Sequence, residues 1–372
     1  MALNCGIVGL PNVGKTVIFQ ALSGARAETA NYNFSTIDPN VGMVNVDDKR
    51  LITLTEIFKP RKMIPATVEF VDISGLVKGS SRGEGLGNQF LAHIRDVGVI
   101  AHVVRCFEDP DIIHVSGKVD PLSDIETINI ELAFADLDSL TRRRERVEKQ
   151  RKSQAKTEQK LAETTLGALD KIAPLLENGL PARQVVLSDD EKSAVYDCHF
   201  ITMKPQLYVC NVGEDFFASQ TSAHVKAVQQ RALEEGSDAV VIAGKFEADL
   251  IGLDDEAERL AFMEDIGLKE SGLSALINCA YRLLGLRTFF TTGEDECRAW
   301  TIHAGDTAPK AAGVIHTDFE RGFIKAEVYT FEDIVKYGTE AKIKEAGKYR
   351  LEGKEYIVQD GDVIFFKFNV GR

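Results

Sequence analysis

Residues 9–16 restrict the fold of this chain more than any other segment, because they read GLPNVGKT and fit the pattern GxxxxGK[ST]. They follow the apolar run 5–8 and precede the helix-forming run 17–22. A strand, a glycine-rich turn and a helix in this order form a P-loop, in which backbone amides and a helix N-terminus face phosphate oxygens. The sequence therefore predicts a site for the triphosphate of a purine nucleotide.

Two side chains of this loop have distinct predicted roles. We expect Lys15 to neutralise charge at the β- and γ-phosphates, and we expect the Thr16 hydroxyl to bind Mg²⁺, which prefers oxygen ligands. The remaining predicted nucleotide contacts of the loop come from its neighbouring residues, which are Asn12, Val13, Gly14 and Val17.

Two further segments fit the metal and γ-phosphate sites of P-loop nucleotide hydrolases. The strand-like run 67–71 leads into Asp72-Ile73-Ser74-Gly75, which fits DxxG. We expect Asp72 to hold Mg²⁺ through water and the Gly75 amide to contact the γ-phosphate. Thr36 lies in the loop between the P-loop helix and this strand, where its hydroxyl can complete the magnesium shell. Five glycines between positions 75 and 87 favour a switch segment over a plain surface loop.

Composition limits the class of protein. A chain of 372 residues exceeds the usual size of one core, so two or three domains are expected. The formal net charge of -13 argues against a surface that coats nucleic acid. Six dispersed cysteines form no CxxC or Cys/His cluster, which argues against a zinc site. The apolar runs are too short to cross a bilayer and the N-terminus does not resemble a signal peptide, so we predict a cytoplasmic monomer that does not associate with membranes.

The order of apolar, amphipathic and glycine-poor stretches predicts an α/β fold with an inserted segment. Residues 1–127 and 201–285 alternate apolar strands with amphipathic stretches, as in a P-loop NTPase domain. Residues 128–200 contain almost no glycine and predict a helical hairpin, whose part 142–160 has nine Lys or Arg against three Glu. Residues 286–372 contain short strands and Gly-Asp turns at 305–306 and 361–362, which predicts a small α+β domain.

At this level of detail the chain resembles the YchF group of Obg-like P-loop NTPases. The resemblance rests on GLPNVGKT, NFSTIDPNVG, VEFVDISGLVKGSSRGEGLGNQFL and HVVRCFEDPDIIHVSGKVDP, and it extends through nearly the whole chain. It implies that the inserted hairpin is an antiparallel coiled coil. It also implies that the carboxyl-terminal segment, which begins RAWTIHAGDTAPKAAGVIHTDFE, is a TGS domain with a ubiquitin-like β-grasp fold.

The predicted base-reading segment departs from that of a GTPase. A GTPase has Asn-Lys-x-Asp, in which the Asp accepts hydrogen bonds from guanine N1–H and the 2-amino group, whereas adenine offers neither donor. This chain has Asn211-Val212-Gly213-Glu214 instead. The change displaces the carboxylate, while Asn211 and the backbone near Val212 can still satisfy adenine. We therefore predict a preference for ATP, with use of GTP left open.

The predicted catalytic machinery departs from that of Ras-like enzymes as well. The residue after DxxG is Leu76, which cannot orient water as a Gln does. In the group that this chain resembles, a loop histidine takes over that role, and the matching residue is His114. An imidazole can hydrogen-bond water near neutral pH, so the role is chemically reasonable. Asn12 matches an asparagine that holds K⁺ beside the phosphates in related NTPases, which permits K⁺ as a second cofactor.

Three functions remain open at this point. The first is a slow ATPase that acts as a nucleotide-dependent switch in translation or stress regulation: the resemblance implies the ribosome as a partner, and the basic segment 142–160 favours contact with RNA. The second is a GTP-preferring translation factor. The third is an ATP-sensing interaction protein with little turnover, which the presence of Leu76 allows.

Overall fold

A computed structural model of the chain describes residues 4–24, 41–73, 86–151, 153, 155–253, 255–268 and 270–369. The predicted site residues Thr36 and Gly75, and also Leu76, lie outside these ranges. The described residues form two compact units, one containing 4–24, 41–42, 69–73 and 86–276, and the other containing 43–68 and 277–369.

Strands and helices alternate through much of the chain. The strands are β1 Asn4–Val8, β2 Val41–Asn45, β3 Lys62–Ile64, β4 Thr67–Asp72, β5 Val99–Arg105, β6 Gln206–Asn211, β7 Asp238–Ile242, β8 Leu286–Thr292, β9 Glu296–His303, β10 Phe323–Thr330, β11 Arg350–Glu352 and β12 Asp362–Phe368. The helices are α1 Lys15–Gly24, α2 Lys49–Phe58, α3 Leu86–Asp96, α4 Pro121–Gln150, α5 Lys156–Glu177, α6 Asp189–Val195, α7 Phe216–Ser219, α8 Ala223–Glu235, α9 Gly244–Ile251, α10 Glu256–Asp265, α11 Gly272–Leu283, α12 Ala308–Ile315, α13 Thr317–Arg321, α14 Phe331–Tyr337 and α15 Glu340–Glu345.

The parallel sheet of the first unit explains where a ligand can bind. Strands β4, β1, β5, β6 and β7 pair in parallel in that order. The chain passes from β1 to one side of the sheet at β4 and then returns to the other side at β5. Ligands bind beyond the carboxyl ends of the strands at such a reversal of strand order. The loop 9–14 begins at this point, directly after β1.

The inserted residues are helical, as predicted. Helix α4 begins with Pro121, which suits the first helical position, and the Asp120 carboxylate caps it by accepting a hydrogen bond from the Ser123 amide. Helices α4 and α5 share an apolar core that includes Leu140, Leu169 and other buried residues, namely Ala133, Ala168, Ile172 and Leu176. Although α4 has 30 residues, neither it nor any other helix in the described ranges is long and apolar enough to cross a membrane.

The second unit contains a mixed sheet with the strand order β11-β10-β12-β8-β9-β3. Helix α12 packs on this sheet, since Ala308 and Ala312 share an apolar core with Phe289 and Phe366. The predicted division placed all of residues 1–127 in the nucleotide-binding domain, whereas the structure groups 43–68 with the carboxyl-terminal residues 277–369. The reason is a strand pairing, because β3 extends the second sheet in parallel with β9.

Candidate nucleotide-binding site

The P-loop has the backbone conformation that its sequence predicts. Gly14 has φ +93°, and a Cβ atom at this position would collide with the side-chain amide nitrogen of Asn211. Only glycine satisfies both constraints without strain. Asn12 has φ +63°, a left-handed conformation that Asn tolerates better than most residues. The turn therefore leads directly into α1, whose first residue is Lys15.

Lys15 folds back onto the loop that precedes it. Its Nζ atom donates hydrogen bonds to the carbonyl oxygens of Gly9, at 2.7 Å, and Leu10, at 2.9 Å. Burial lowers the pKa of the ammonium group, and the Asp72 carboxylate opposes that shift. An ammonium has three donors, so one remains for an incoming anion. A bound phosphate would compensate the desolvation of this buried charge.

Asn211 connects the P-loop with two other parts of the sheet edge. Its Nδ2 atom donates to the carbonyl oxygen of Val13 at 2.8 Å, and its Oδ1 atom accepts from the Gly244 amide at 3.0 Å. Asn211 ends β6 and is only 5% exposed. The residue predicted to read the base thus also holds together the P-loop, β6 and the first turn of α9.

The cavity at this edge of the sheet measures about 590 Å³, which lies within the range of about 300–1,000 Å³ typical of small-molecule sites. It contains predicted nucleotide contacts from both segments: Asn12, Gly14, Lys15, Thr16, Val17, Asn211, Val212 and Glu214. Val13 does not line it, because its side chain is buried in the core and its carbonyl oxygen is bonded to Asn211. The structure therefore brings together two segments that lie about two hundred residues apart.

The cavity also contains residues that the sequence analysis did not assign, among them Phe107, Glu108, Asp109, Ile112, Asp215 and Phe246. Phe107 and its neighbours follow β5, which pairs with β1, so their position directly after a central parallel strand was the available signal. The Arg105 guanidinium lies 4.6 Å from the centroid of the Phe107 ring. At the rim, Lys245 and Glu214 form an exposed ion pair at 3.7 Å.

His114 follows Ile112, which lines this cavity, by two residues, but His114 itself does not line it. Its Nε2 atom lies 3.0 Å from Oδ2 of Asp124, in the first turn of α4, and its Nδ1 atom accepts a hydrogen bond from the Ser116 amide at 3.1 Å. Both side chains of the pair are 4% exposed. Burial raises the pKa of Asp124, and the hydrogen bond from His114 opposes that shift. In this conformation neither imidazole nitrogen is available to a water molecule in the cavity.

The predicted magnesium ligands were Thr16, Asp72 and Thr36, of which the last lies outside the described residues. Thr16 lines the cavity and Asp72 ends β4, opposite Ile7 of β1. Burial lowers the pKa of Lys15, and Asp72 lies close enough for its carboxylate to oppose that shift. A hydroxyl and a carboxylate beside a phosphate-binding loop are oxygen donors of the kind that Mg²⁺ prefers, so the described residues fit this ion. Within the described ranges, His, Cys, Asp and Glu form no cluster of three that could hold a metal ion by themselves.

Comparisons with known proteins identify the family. A family model described as 50S ribosome-binding GTPase matches residues 4–136. A carboxyl-terminal YchF GTPase model, described as a protein of unknown function, matches residues 286–369. A protein of Haemophilus ducreyi named ribosome-binding ATPase YchF is 53% identical over 370 residues, and the match covers 100% of each chain. This chain belongs to the YchF family.

Other members of the YchF family support the same assignment. A relative in Bacillus subtilis with the same name is 52% identical, again over 100% of both chains. The solved structure of the Schizosaccharomyces pombe YchF GTPase is 37% identical, with a TM-score of 0.88 over 98% of this chain and 97% of that one. The predicted family and fold class are therefore confirmed: a P-loop domain with a carboxyl-terminal YchF domain.

Proposed function

We propose that this chain is a ribosome-binding ATPase that hydrolyses ATP to ADP and phosphate and acts as a nucleotide-dependent switch. The observation that supports this most directly is the cavity at the sheet edge, where the P-loop and the segment 211–214 meet. Relatives that match over the full length are named ribosome-binding ATPase YchF.

The preference for ATP rests on the segment that ends β6. Glu214 is 58% exposed at its side chain and forms an ion pair with Lys245, so solvent and a neighbouring cation already satisfy its carboxylate. Asn211 has one amide hydrogen engaged with Val13 and one remaining for a base. This arrangement lacks the fixed carboxylate that would favour guanine, and it suits the N6 and N7 groups of adenine.

Magnesium belongs to this proposal. Thr16 would bind the ion directly and Asp72 would hold it through water, and the ion would neutralise charge that develops on the phosphates. Thr36 would complete the magnesium shell, and the Gly75 amide would contact the γ-phosphate. Asn12 would hold K⁺ near the phosphates. In the structure its amide nitrogen donates to the carbonyl oxygen of Ile113 at 3.1 Å, which leaves its amide oxygen as the atom for a cation.

Hydrolysis needs a group that orients water, and we assign this role to His114. The imidazole must first leave Asp124, because both of its nitrogens are engaged in the observed conformation. The same observation favours a second candidate function, in which the chain binds ATP and has little turnover. The S. pombe relative is named a GTPase, which keeps GTP hydrolysis as a third candidate function.

Two titrations and one kinetic comparison test these functions. Calorimetry with ATP and with GTP should show tighter binding of ATP, and Lys15→Ala should weaken both titrations strongly because it removes the phosphate-binding cation. A tenfold preference for GTP would refute the ATP assignment. Phosphate release in the presence of ribosomes and K⁺ should fall in His114→Ala. Equal rates in both proteins under every condition would support the sensor function instead.

We also propose that the basic end of the hairpin contacts ribosomal RNA. The structure separates its arginines into two groups. Arg143 pairs with Asp197 at 2.9 Å and Arg144 pairs with Asp170 at 2.6 Å, so both stabilise the hairpin itself. Arg142 and Arg146 are exposed on α4, as are Lys149 and Arg151 nearby.

The variant R142E/R146E tests this contact without breaking the internal ion pairs. We expect weaker co-sedimentation with ribosomes and unchanged ATP affinity, since phosphate contacts depend on local positive charge. A matched control, K226E/K342E, makes the same change of charge at exposed positions on other helices. If both variants bind ribosomes alike, the hairpin end is not the RNA contact.

A further inference from the structure

The hydrogen bonds of His114 define one tautomer and one orientation of its ring. The Ser116 amide is a donor, so Nδ1 of His114 must be the acceptor in that contact, at 3.1 Å. The proton of a neutral imidazole is then on Nε2, which donates to the Asp124 carboxylate at 3.0 Å. This is a fully bonded imidazole in a buried position.

The loop that contains His114 is attached on two sides. On one side the Arg105 guanidinium donates to the carbonyl oxygens of Phe107, Asp109 and Ile112, at 3.2, 3.2 and 2.9 Å. Arg105 is 1% exposed, so these bonds are shielded from water. On the other side Asn12 of the P-loop donates to the carbonyl oxygen of Ile113. The residue directly before His114 is therefore in direct contact with the phosphate-binding loop.

Around His114 the apolar side chains are exposed and the polar side chain is buried, which is the reverse of what their chemistry favours. Ile113 is 78% exposed and Val115 is 52% exposed, while the polar imidazole between them is buried. Apolar side chains gain free energy from burial and an imidazole does not, so this conformation depends on the bond to Asp124.

We propose that Asp124 is the positioning residue of His114: it holds the imidazole away from the nucleotide in the resting protein, and hydrolysis requires this bond to break. This inference rests on the proposed catalytic role of His114. Asp124 does not touch the nucleotide cavity and acts only through the imidazole. Because Asn12 contacts the same loop, nucleotide at the P-loop has a direct connection to the His114–Asp124 pair.

Asp124→Asn tests the proposal with little change in shape. The amide oxygen can still accept from Nε2, but a neutral acceptor binds more weakly than a carboxylate. We expect single-turnover phosphate release to rise about fivefold, the difference between hydrogen bonds to charged and neutral groups. Asp120→Asn is the matched control, since it removes a carboxylate from the same helix end while Asn still caps the helix. It should leave the rate unchanged.

Two further variants separate this proposal from the proposed function. The double variant D124N/H114A should be as slow as His114→Ala alone, because the positioning residue acts only through the imidazole. If His114→Ala is slow but Asp124→Asn is as slow as, or slower than, the unmodified chain, the positioning role is refuted and the catalytic role stands. If His114→Ala is as fast as the unmodified chain, the catalytic role is refuted and the positioning role with it.

A spectroscopic measurement distinguishes positioning from a merely structural role. In protein with nitrogen-15-labelled histidine, His114 should show a protonated Nε2 and an unprotonated Nδ1. Asp124→Asn should move both resonances toward those of a solvent-exposed imidazole, because the weaker bond lets the ring leave its buried position more often, whereas Asp120→Asn should not. If the His114 resonances of Asp124→Asn match those of the unmodified chain, Asp124 does not hold the ring in place and the proposal fails.

Discussion

Replacing Asn211 with alanine tests how the nucleotide site is held together before any ligand binds. The substitution removes two hydrogen bonds to buried backbone groups, the Val13 carbonyl at 2.8 Å and the Gly244 amide at 3.0 Å. A buried polar group without its partner costs about 1–3 kcal/mol. Water from the adjoining cavity can partly replace the lost bonds, so we expect the free energy of unfolding to fall by about 3 kcal/mol, within the range for two such groups.

Two spectroscopic probes together show which of the two units a substitution destabilises. Trp300 is the single tryptophan of the chain and lies in the second unit, so its fluorescence follows that unit, whereas far-UV circular dichroism follows both. In urea without nucleotide, Asn211→Ala should shift the circular dichroism transition more than the fluorescence transition. Nucleotide must be absent, because a ligand that binds only the folded state would add its own stabilisation.

The control for this experiment is Gln229→Ala. Gln229 is exposed on α8, and surface substitutions of this kind change stability by less than about 0.5 kcal/mol. Calorimetry should show that Asn211→Ala also weakens ATP binding. If the unfolding free energy of Asn211→Ala lies within about 0.5 kcal/mol of the control, the two hydrogen bonds do not stabilise the site and the reasoning is wrong.

Three more predictions follow from single contacts. Gly14→Ala should abolish ATP binding in calorimetry, whereas Gly305→Ala, which has the same φ of +93° but open space around it, should leave binding intact. Burial lowers the pKa of His102 to about 3, so the unfolded chain binds the extra proton below about pH 6.5; urea unfolding should show stability falling by about 1.4 kcal/mol per pH unit there, and His102→Leu should remove this dependence. Asp136→Ala removes the acceptor for the amides of residues 201 and 202, at 2.9 and 2.7 Å, and should make both exchange hydrogen faster in mass spectrometry.

Local features of the fold were predictable from the sequence. Strand β6 is recognisable in the sequence, since its residues 207–210 are a continuous apolar run of the kind found in the middle of a parallel sheet. The glycines of the two predicted Gly-Asp turns, Gly305 and Gly361, both have positive φ. The P-loop was predictable for the same reason, because its residue types are required at adjacent positions and the context of strand and helix lies within the motif.

Long-range pairings were not predictable in this way. Strand β3 pairs with β9, more than two hundred residues later. A three-residue strand is too short for a periodic pattern that would indicate which strand it pairs with. The inward orientation of His114 was missed for a related reason. It depends on Asp124 and on Arg105, whose charge predicts exposure although it is 1% exposed. His114 lies in a loop, Asp124 on α4 and Arg105 on β5, and no pattern in the sequence indicates that these three residues lie close together.

The length of α4 has a mechanical consequence. Its 30 residues form one uninterrupted helix of about 45 Å, with Asp124 near its beginning and Arg142 and Arg146 near its end. A rigid rod converts a small rotation at one end into a large translation at the other. A tilt of about 10° around the first turn would carry the far end through about 8 Å, more than the rise of one helical turn. A rearrangement of a few atoms beside the nucleotide would thus move the far end of α4 enough to change its contacts with a neighbouring macromolecule.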